Sequence, residues 1–200
     1  MAKGKLLAGL VLVGAAATCA TTGVALVPVQ VSLGPCLMDY TSPSTYQPRA
    51  SPLATVEGPV GAGAFRLCYG RPSARGRVVY GGLVPWDSLW RFGANEPTRL
   101  YVDRPVTLAG IRLDPGRYSL YVRPGAREWR LFVSRSVLHW GNDIDAAVRA
   151  REVGDAVVPT VPLPQPVETL TVRRLTSPDG STVLAFDWDR TRVPLELRPR

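Results

Sequence analysis

The chain has 200 residues, a formal net charge of +8 and a pI near 9.9, with 46% hydrophobic residues and 20% charged ones. That length holds one ordinary domain with a core of its own plus an appendage. Of the 24 basic residues only Lys3 and Lys5 are lysines, and apart from Arg173 and Arg174 the arginines are scattered. No basic run interleaved with aromatics tracks a phosphate backbone, so nucleic acid is excluded as the expected partner.

After Lys5 the chain carries no charge until Asp39, and Leu6 to Val27 reads LLAGLVLVGAAATCATTGVALV. As a helix this stretch rises about 33 Å, enough for a hydrocarbon core of about 30 Å. Residues 1–28 are therefore read as one hydrophobic helix that anchors the chain, and the lysines ahead of it predict a cytoplasmic amino end with the rest of the chain beyond the inner membrane. The alternative is a cleaved signal peptide, with Leu6 to Val13 as its apolar region and secretion into the periplasm. Cys19 also suggests a lipoprotein, but Ala16, Ala17 and Thr18 before it depart from the usual lipobox.

Residues 29–50, rich in Pro, Ser and Thr without a sustained period, are expected to form a linker. An extracytoplasmic location permits disulfides, and Cys36 and Cys68 are the candidate pair. Because Cys36 falls in the linker, the preferred reading is two unpaired thiols. Three cysteines and one histidine give no metal-ligand spacing, and neither a metal nor another cofactor is expected.

From Ser51 to the end, residues 51–200, the periodicity is that of strands. Phe65, Leu67 and Tyr69 alternate with Arg66 and Cys68, and Tyr118, Leu120 and Val122 alternate with Arg117, Ser119 and Tyr121. Trp129, Leu131 and Val133 line one face of the next run. Leu170 and Val172, then Leu184, Phe186 and Trp188, line two more. Asp114-Pro115-Gly116, Pro124-Gly125 and Pro178-Asp179-Gly180 supply turn chemistry between the runs. The expected fold is all-β: an antiparallel, jelly-roll-like β-sandwich. Helix is expected only as one turn over Pro85 to Trp90 and as a longer segment over Asp143 to Arg151.

The densest chemistry lies between Tyr69 and Glu96, YGRPSARGRVVYGGLVPWDSLWRFGANE. With RYSLYVRPG at Arg117 to Gly125, HWGND at His139 to Asp143 and PVETLTV at Pro166 to Val172, this string resembles the bacterial family of domain of unknown function 2911. The resemblance runs from near Ser51 to near Leu197. The family carries no established reaction, so the resemblance implies a domain and not an activity. Three positions depart from the family's habit: Trp86 stands where Tyr or Phe is usual, Phe92 where Thr is usual, and His139 where Gln is more frequent.

Two readings of this chemistry stand side by side. In the first, arginines, Asn95 and Glu96 form a network of bidentate pairs and backbone hydrogen bonds that braces a long loop, with tryptophans as its floor. In the second, Arg71, Arg75, Arg91, Asn95, Glu96, His139 and Asp143 surround an anionic small ligand while Trp86, Trp90 and Trp140 stack on its ring. His139 beside Asp145 or Glu96 could serve as a general base near neutral pH, and Glu96 with Asp143 offers two carboxylates. No GxSxG elbow accompanies them, so no catalytic residue is assigned. The leading expectation is a non-catalytic binding or structural accessory subunit, tethered to the membrane and serving a protein partner in an envelope complex. A ligand or carbohydrate binder and a hydrolase centred on Glu96, His139 and Asp143 are the alternatives.

Overall fold

The computed structural model describes Cys36 and residues 50–200. The expected anchor, Cys19 and the rest of the linker lie outside the described residues. Among those residues no helix is long and apolar enough to cross a membrane.

Among the described residues ten strands form two antiparallel sheets. β1 (Leu53–Val60), β2 (Gly63–Gly70), β3 (Thr98–Val102), β6 (Gly116–Pro124), β7 (Glu128–Ser134) and β8 (Glu152–Pro159) pair in the order β1-β2-β3-β6-β7-β8. β4 (Val106–Leu108), β5 (Ile111–Leu113), β9 (Val161–Thr176) and β10 (Thr182–Pro199) pair in the order β5-β4-β10-β9. Chain-consecutive hairpins make most of the pairs. The Ala109-Gly110 turn between β4 and β5 has φ of 47° and 83°, the doubly left-handed backbone that matches strand twist in a two-residue hairpin.

Period-two alternation decides what is buried. Phe65, Leu67, Tyr69, Leu100, Tyr118, Leu120, Trp129 and Leu131 of the six-stranded sheet share one core with Leu170, Val172, Leu184, Phe186 and Trp188 of the four-stranded sheet. At roughly 25 cal/mol per Å² of apolar surface, this common core is the main stabilising term. A polar link crosses it where the Tyr69 hydroxyl accepts from the Val172 amide at 2.9 Å, and within the four-stranded sheet Trp188 Nε1 donates to the Glu168 carbonyl at 3.1 Å. The sheet edges also approach each other, since a Cβ on Gly154 of β8 would lie 2.8 Å from Ile111 of β5. On the other side a Cβ on Gly58 of β1 would meet the Arg174 guanidinium of β9 at the same distance.

The outer face of the six-stranded sheet is covered too. Arg66, Cys68, Arg99, Tyr101, Ser119, Tyr121 and Ser134 point away from the common core yet are buried. Over part of this face lies the segment after β7, which holds α1 (Ala146–Arg149), capped by Asp145 Oδ1 accepting from the Val148 amide at 2.9 Å. Arg99 Nε donates to the Val137 carbonyl at 2.7 Å and Ser134 Oγ to the Val148 carbonyl at 2.8 Å. The expected helix is thus reduced to one turn. The turn expected over Pro85 to Trp90 is not helical, because Trp90 extends to exchange two 2.8 Å backbone hydrogen bonds with Val122 of β6.

The preferred reading of the cysteines is corrected. Cys36 and Cys68 are joined in a disulfide, with Cα atoms 5.8 Å apart. Cys36 packs there against Ala64, Cys68 and Tyr101, and its Sγ lies 3.3 Å from Thr55 Oγ1. Position in a linker misled the reading, because Cys68 alternates onto the outer face of β2, where a segment outside the core can reach it.

Candidate functional site

The connection from β2 to β3, residues 71–97, carries most of the candidate residues and separates them into three groups.

Its first part is tied to β9. Arg71 Nε donates to the Leu170 carbonyl at 3.2 Å and its Nη2 to Thr171 Oγ1 at 3.1 Å. Ser73 and Thr169 share a 2.7 Å hydroxyl contact, and the Ala74 and Leu170 amides donate across to Glu168 and Pro72. Arg75, in the left-handed region at φ 52°, donates its amide to Glu168 Oε1 and its Nη2 to the Ala50 carbonyl. Arg77 closes on the carbonyls of Ser73 and Ala74. The expectation of arginine–carboxylate pairs is corrected here. These guanidinium groups mainly satisfy backbone carbonyls, because a long irregular connection leaves acceptors without a ladder.

The second part is aromatic. Trp90 is 5% exposed, stacks on Trp188 at 5.8 Å and donates its Nε1 to the Gly93 carbonyl at 3.1 Å. Tyr80 sits at the hub, 5.1 Å from Trp129, 6.1 Å from Trp188 and 5.8 Å from Trp86. Burial pushes the Tyr80 phenol far up, and Asp189 and Asp187 add to it. Trp86 is 44% exposed, with Val78 and Leu83 exposed on the same stretch. Trp86 and Trp90 therefore do not form one stacking platform, since Trp90 belongs to the core and only Trp86 reaches solvent. Tyr80 was not singled out by the sequence, although it stands within the same dense string.

The third group gathers Arg91, Asn95 and Glu96 beside the HWGND segment. The Arg91 amide donates to Asn142 Oδ1 at 3.2 Å. Gly141, at φ 41°, lets the chain pass so close that a Cβ there would lie 2.8 Å from the Asn95 carbonyl and 3.4 Å from Arg91 Nη1. Asn95, itself at φ 62°, donates Nδ2 to the Ser51 carbonyl at 3.1 Å. Glu96 is 1% exposed. Burial pulls the Arg91 pKa down and the Glu96 carboxylate opposes it, while Arg91 Nε is buried without a hydrogen-bond partner. The role of Asn142 was not foreseen, although the HWGND string had drawn notice.

His139, Trp140 and Asp143 complete the set. Burial lowers the His139 pKa and the Arg99 charge acts the same way, while Asp143 and Asp145 oppose it. The Ser136 backbone also opposes the shift, yet neither ring nitrogen completes a hydrogen bond of good geometry. Asp143 is exposed and Asp145 is engaged as the cap of α1, so no carboxylate orients the imidazole. Trp140 is partly exposed, next to Leu138 at 81% exposure. Among the described residues no group of three His, Cys, Asp or Glu side chains could hold a metal ion.

An open cleft of about 420 Å³ lies beside the disulfide, lined by Cys36, Thr55, Glu57 and Arg66, with Arg66 Nε held on Glu57 at 2.8 Å. No curated protein and no solved structure matches the chain. Residues 51–197 match the family described as protein of unknown function (DUF2911), and the chain belongs to that family.

Proposed function

We propose that the protein is an extracytoplasmic, membrane-tethered binding or structural accessory subunit that serves a protein partner in an envelope complex and performs no catalysis. The observation that carries this reading is how the polar groups of residues 71–97 are used. Arg71, Arg75, Arg77 and Asn95 spend donors on the protein's own carbonyls, and Glu96 is shut away from solvent. What this connection leaves outside includes three apolar side chains, Val78, Leu83 and Trp86, alongside Arg75, Arg77, Asp87 and Ser88. A rigid, braced loop with an exposed aromatic at its tip suits a protein contact, where Trp is a frequent anchor. Two facing antiparallel sheets with a shared core fit a β-sandwich, and only the crossings β3 to β4, β5 to β6 and β8 to β9 have jelly-roll character. The apolar leader Leu6 to Val27 supports the tether, with cleavage to a periplasmic form as its alternative.

A photo-crosslinking residue at position 86 in the full chain, expressed in its native membrane, tests the partner. A discrete adduct that is lost when the probe is moved to Arg112 on β5 is expected. Protein that yields no adduct and runs alone as a monomer in mild detergent would count against the reading. The exposed face of Trp86 beside Tyr80 favours one second reading, a carbohydrate or other small-ligand site at the same tip. Tryptophan fluorescence that responds to a glycan or anionic metabolite would favour it.

A further inference from the structure

From the Cys36–Cys68 disulfide we infer that the domain has a short tether attached to the outer face of the six-stranded sheet, so that the bridge sets both its height above the membrane and the face it turns toward it. The inference rests on the tethered reading proposed above. Among the described residues that continue into it, the folded unit is held through its own chain at Ala50 and Ser51, whose carbonyls accept from Arg75 and Asn95. If that were the only attachment, Pro28 to Arg49 would separate it from the end of the apolar leader, a reach of about 75 Å when extended. The disulfide attaches the chain earlier. Only Pro28 to Pro35 then lie between the leader and a covalent bond to β2, a reach of about 28 Å. Residues 37–49 then no longer count toward the length of the tether.

The point of attachment also selects an orientation. Cys68 lies opposite Thr55 on β1 and Arg99 on β3, on the sheet face away from the shared core. That side carries exposed Arg117, whose guanidinium lies 5.9 Å above the Tyr101 ring. Cations held within a Debye length of anionic headgroups are attracted to them. A short tether ending on this side therefore brings the face that carries Arg117 toward the lipid and turns the four-stranded sheet away from it. Reduction lengthens the leash and frees the orientation while leaving the chain continuous.

The test uses the full chain in membranes with a site-specific protease sequence inserted between Tyr46 and Gln47, cut to completion as judged on a reducing gel. The domain is expected to stay in the membrane pellet after cutting and to be released only on adding reductant; the Cys36→Ser variant is expected to be released by cutting alone. In uncut protein, energy transfer to a headgroup dye is expected to be stronger from a label at position 117 than at 175, and the difference should vanish in Cys36→Ser. Release of the unreduced domain by the protease, or equal transfer from both labels, overturns the inference. Protein absent from the pellet before any cut instead refutes the tether, and a non-reducing gel still shows whether the two pieces are joined.

Discussion

Replacing Glu96 by Gln separates a brace from a reaction centre. The substitution keeps the shape and most of the hydrogen-bonding capacity of a side chain that is 1% exposed and removes its charge. Arg91 then keeps a desolvated guanidinium whose Nε already lacks a partner, without the carboxylate that opposes its loss of charge. Leaving a fully buried charge uncompensated costs about 3 to 5 kcal/mol. Arg91 is only partly buried, so water recovers some of that, and about 2 to 3 kcal/mol is the expected loss. For a domain of this size each kcal/mol moves Tm by about 2 to 4 °C, so Tm should fall by roughly 4 to 12 °C. Thermal unfolding followed by near-ultraviolet circular dichroism reads the effect. Pairing Glu96→Gln with Arg91→Met should recover part of the loss, because the stranded charge leaves with it. If Glu96→Gln melts within about 1 °C of the parent, below the smallest shift expected, the bracing argument is wrong and Glu96 becomes a candidate for chemistry.

Four further outcomes follow from the geometry. Gly70→Ala should cost about 3 kcal/mol in urea unfolding, because its Cβ would run into the Ala94 backbone carbonyl. Asp187→Asn should cost about as much, since that carboxylate is 2% exposed and accepts from Arg192 at 2.6 and 2.7 Å and from Arg173 at 3.2 Å. Hydrogen bonds from the Ser181 backbone and hydroxyl, with Arg198, hold Asp179 at about 2 against an ordinary 3.8. A depressed acid contributes its stability above the unfolded value and loses it as pH falls through the folded one, so Asp179→Asn should flatten the acid limb between about pH 4 and 2, with the carboxyl midpoint read by NMR. His139 is also depressed, by burial first. Its unfolded form binds the proton more readily, so stability should be full above about pH 6.5 and decline below it; His139→Gln should lessen that decline in urea titrations at pH 7.5 and 5.5.

The strand framework was legible wherever a run had two unequal faces. Phe65, Leu67 and Tyr69, Tyr118 to Val122, Trp129 to Val133, and Leu184 to Trp188 place every apolar residue of the expected face in the shared core. β4 and β5, three residues each, are too short to show a period. β8 runs EVGDAVVP with its exposed face holding valines, so polarity does not mark its alternation. β3 is hidden differently: all five residues of TRLYV are buried, because Arg99 and Tyr101 lie beneath the covered outer face. A strand buried on both sides has lost the contrast that period-two reading depends on.

The site was legible as a cluster and not as an arrangement, and the reason lies in the donors. Arginine, asparagine and tryptophan near one another in sequence satisfy a ligand and a loop backbone with the same chemistry. Which one they serve depends on where unpaired carbonyls happen to lie. Residues 71–97 leave the six-stranded sheet at β2 and return to it at β3 without a ladder of their own, so Leu170, Ala50, Ser73, Ala74 and Ser51 all present acceptors. Those acceptors are in place before any ligand arrives, and a donor already bonded at 2.9 to 3.2 Å must break that bond to serve another group. The same logic leaves Trp86 as the candidate most free to act, because its ring is packed on one side by Tyr80 and open on the other. An anchor that is rigid before contact loses little entropy on binding, so bracing the loop and presenting Trp86 are two effects of one arrangement.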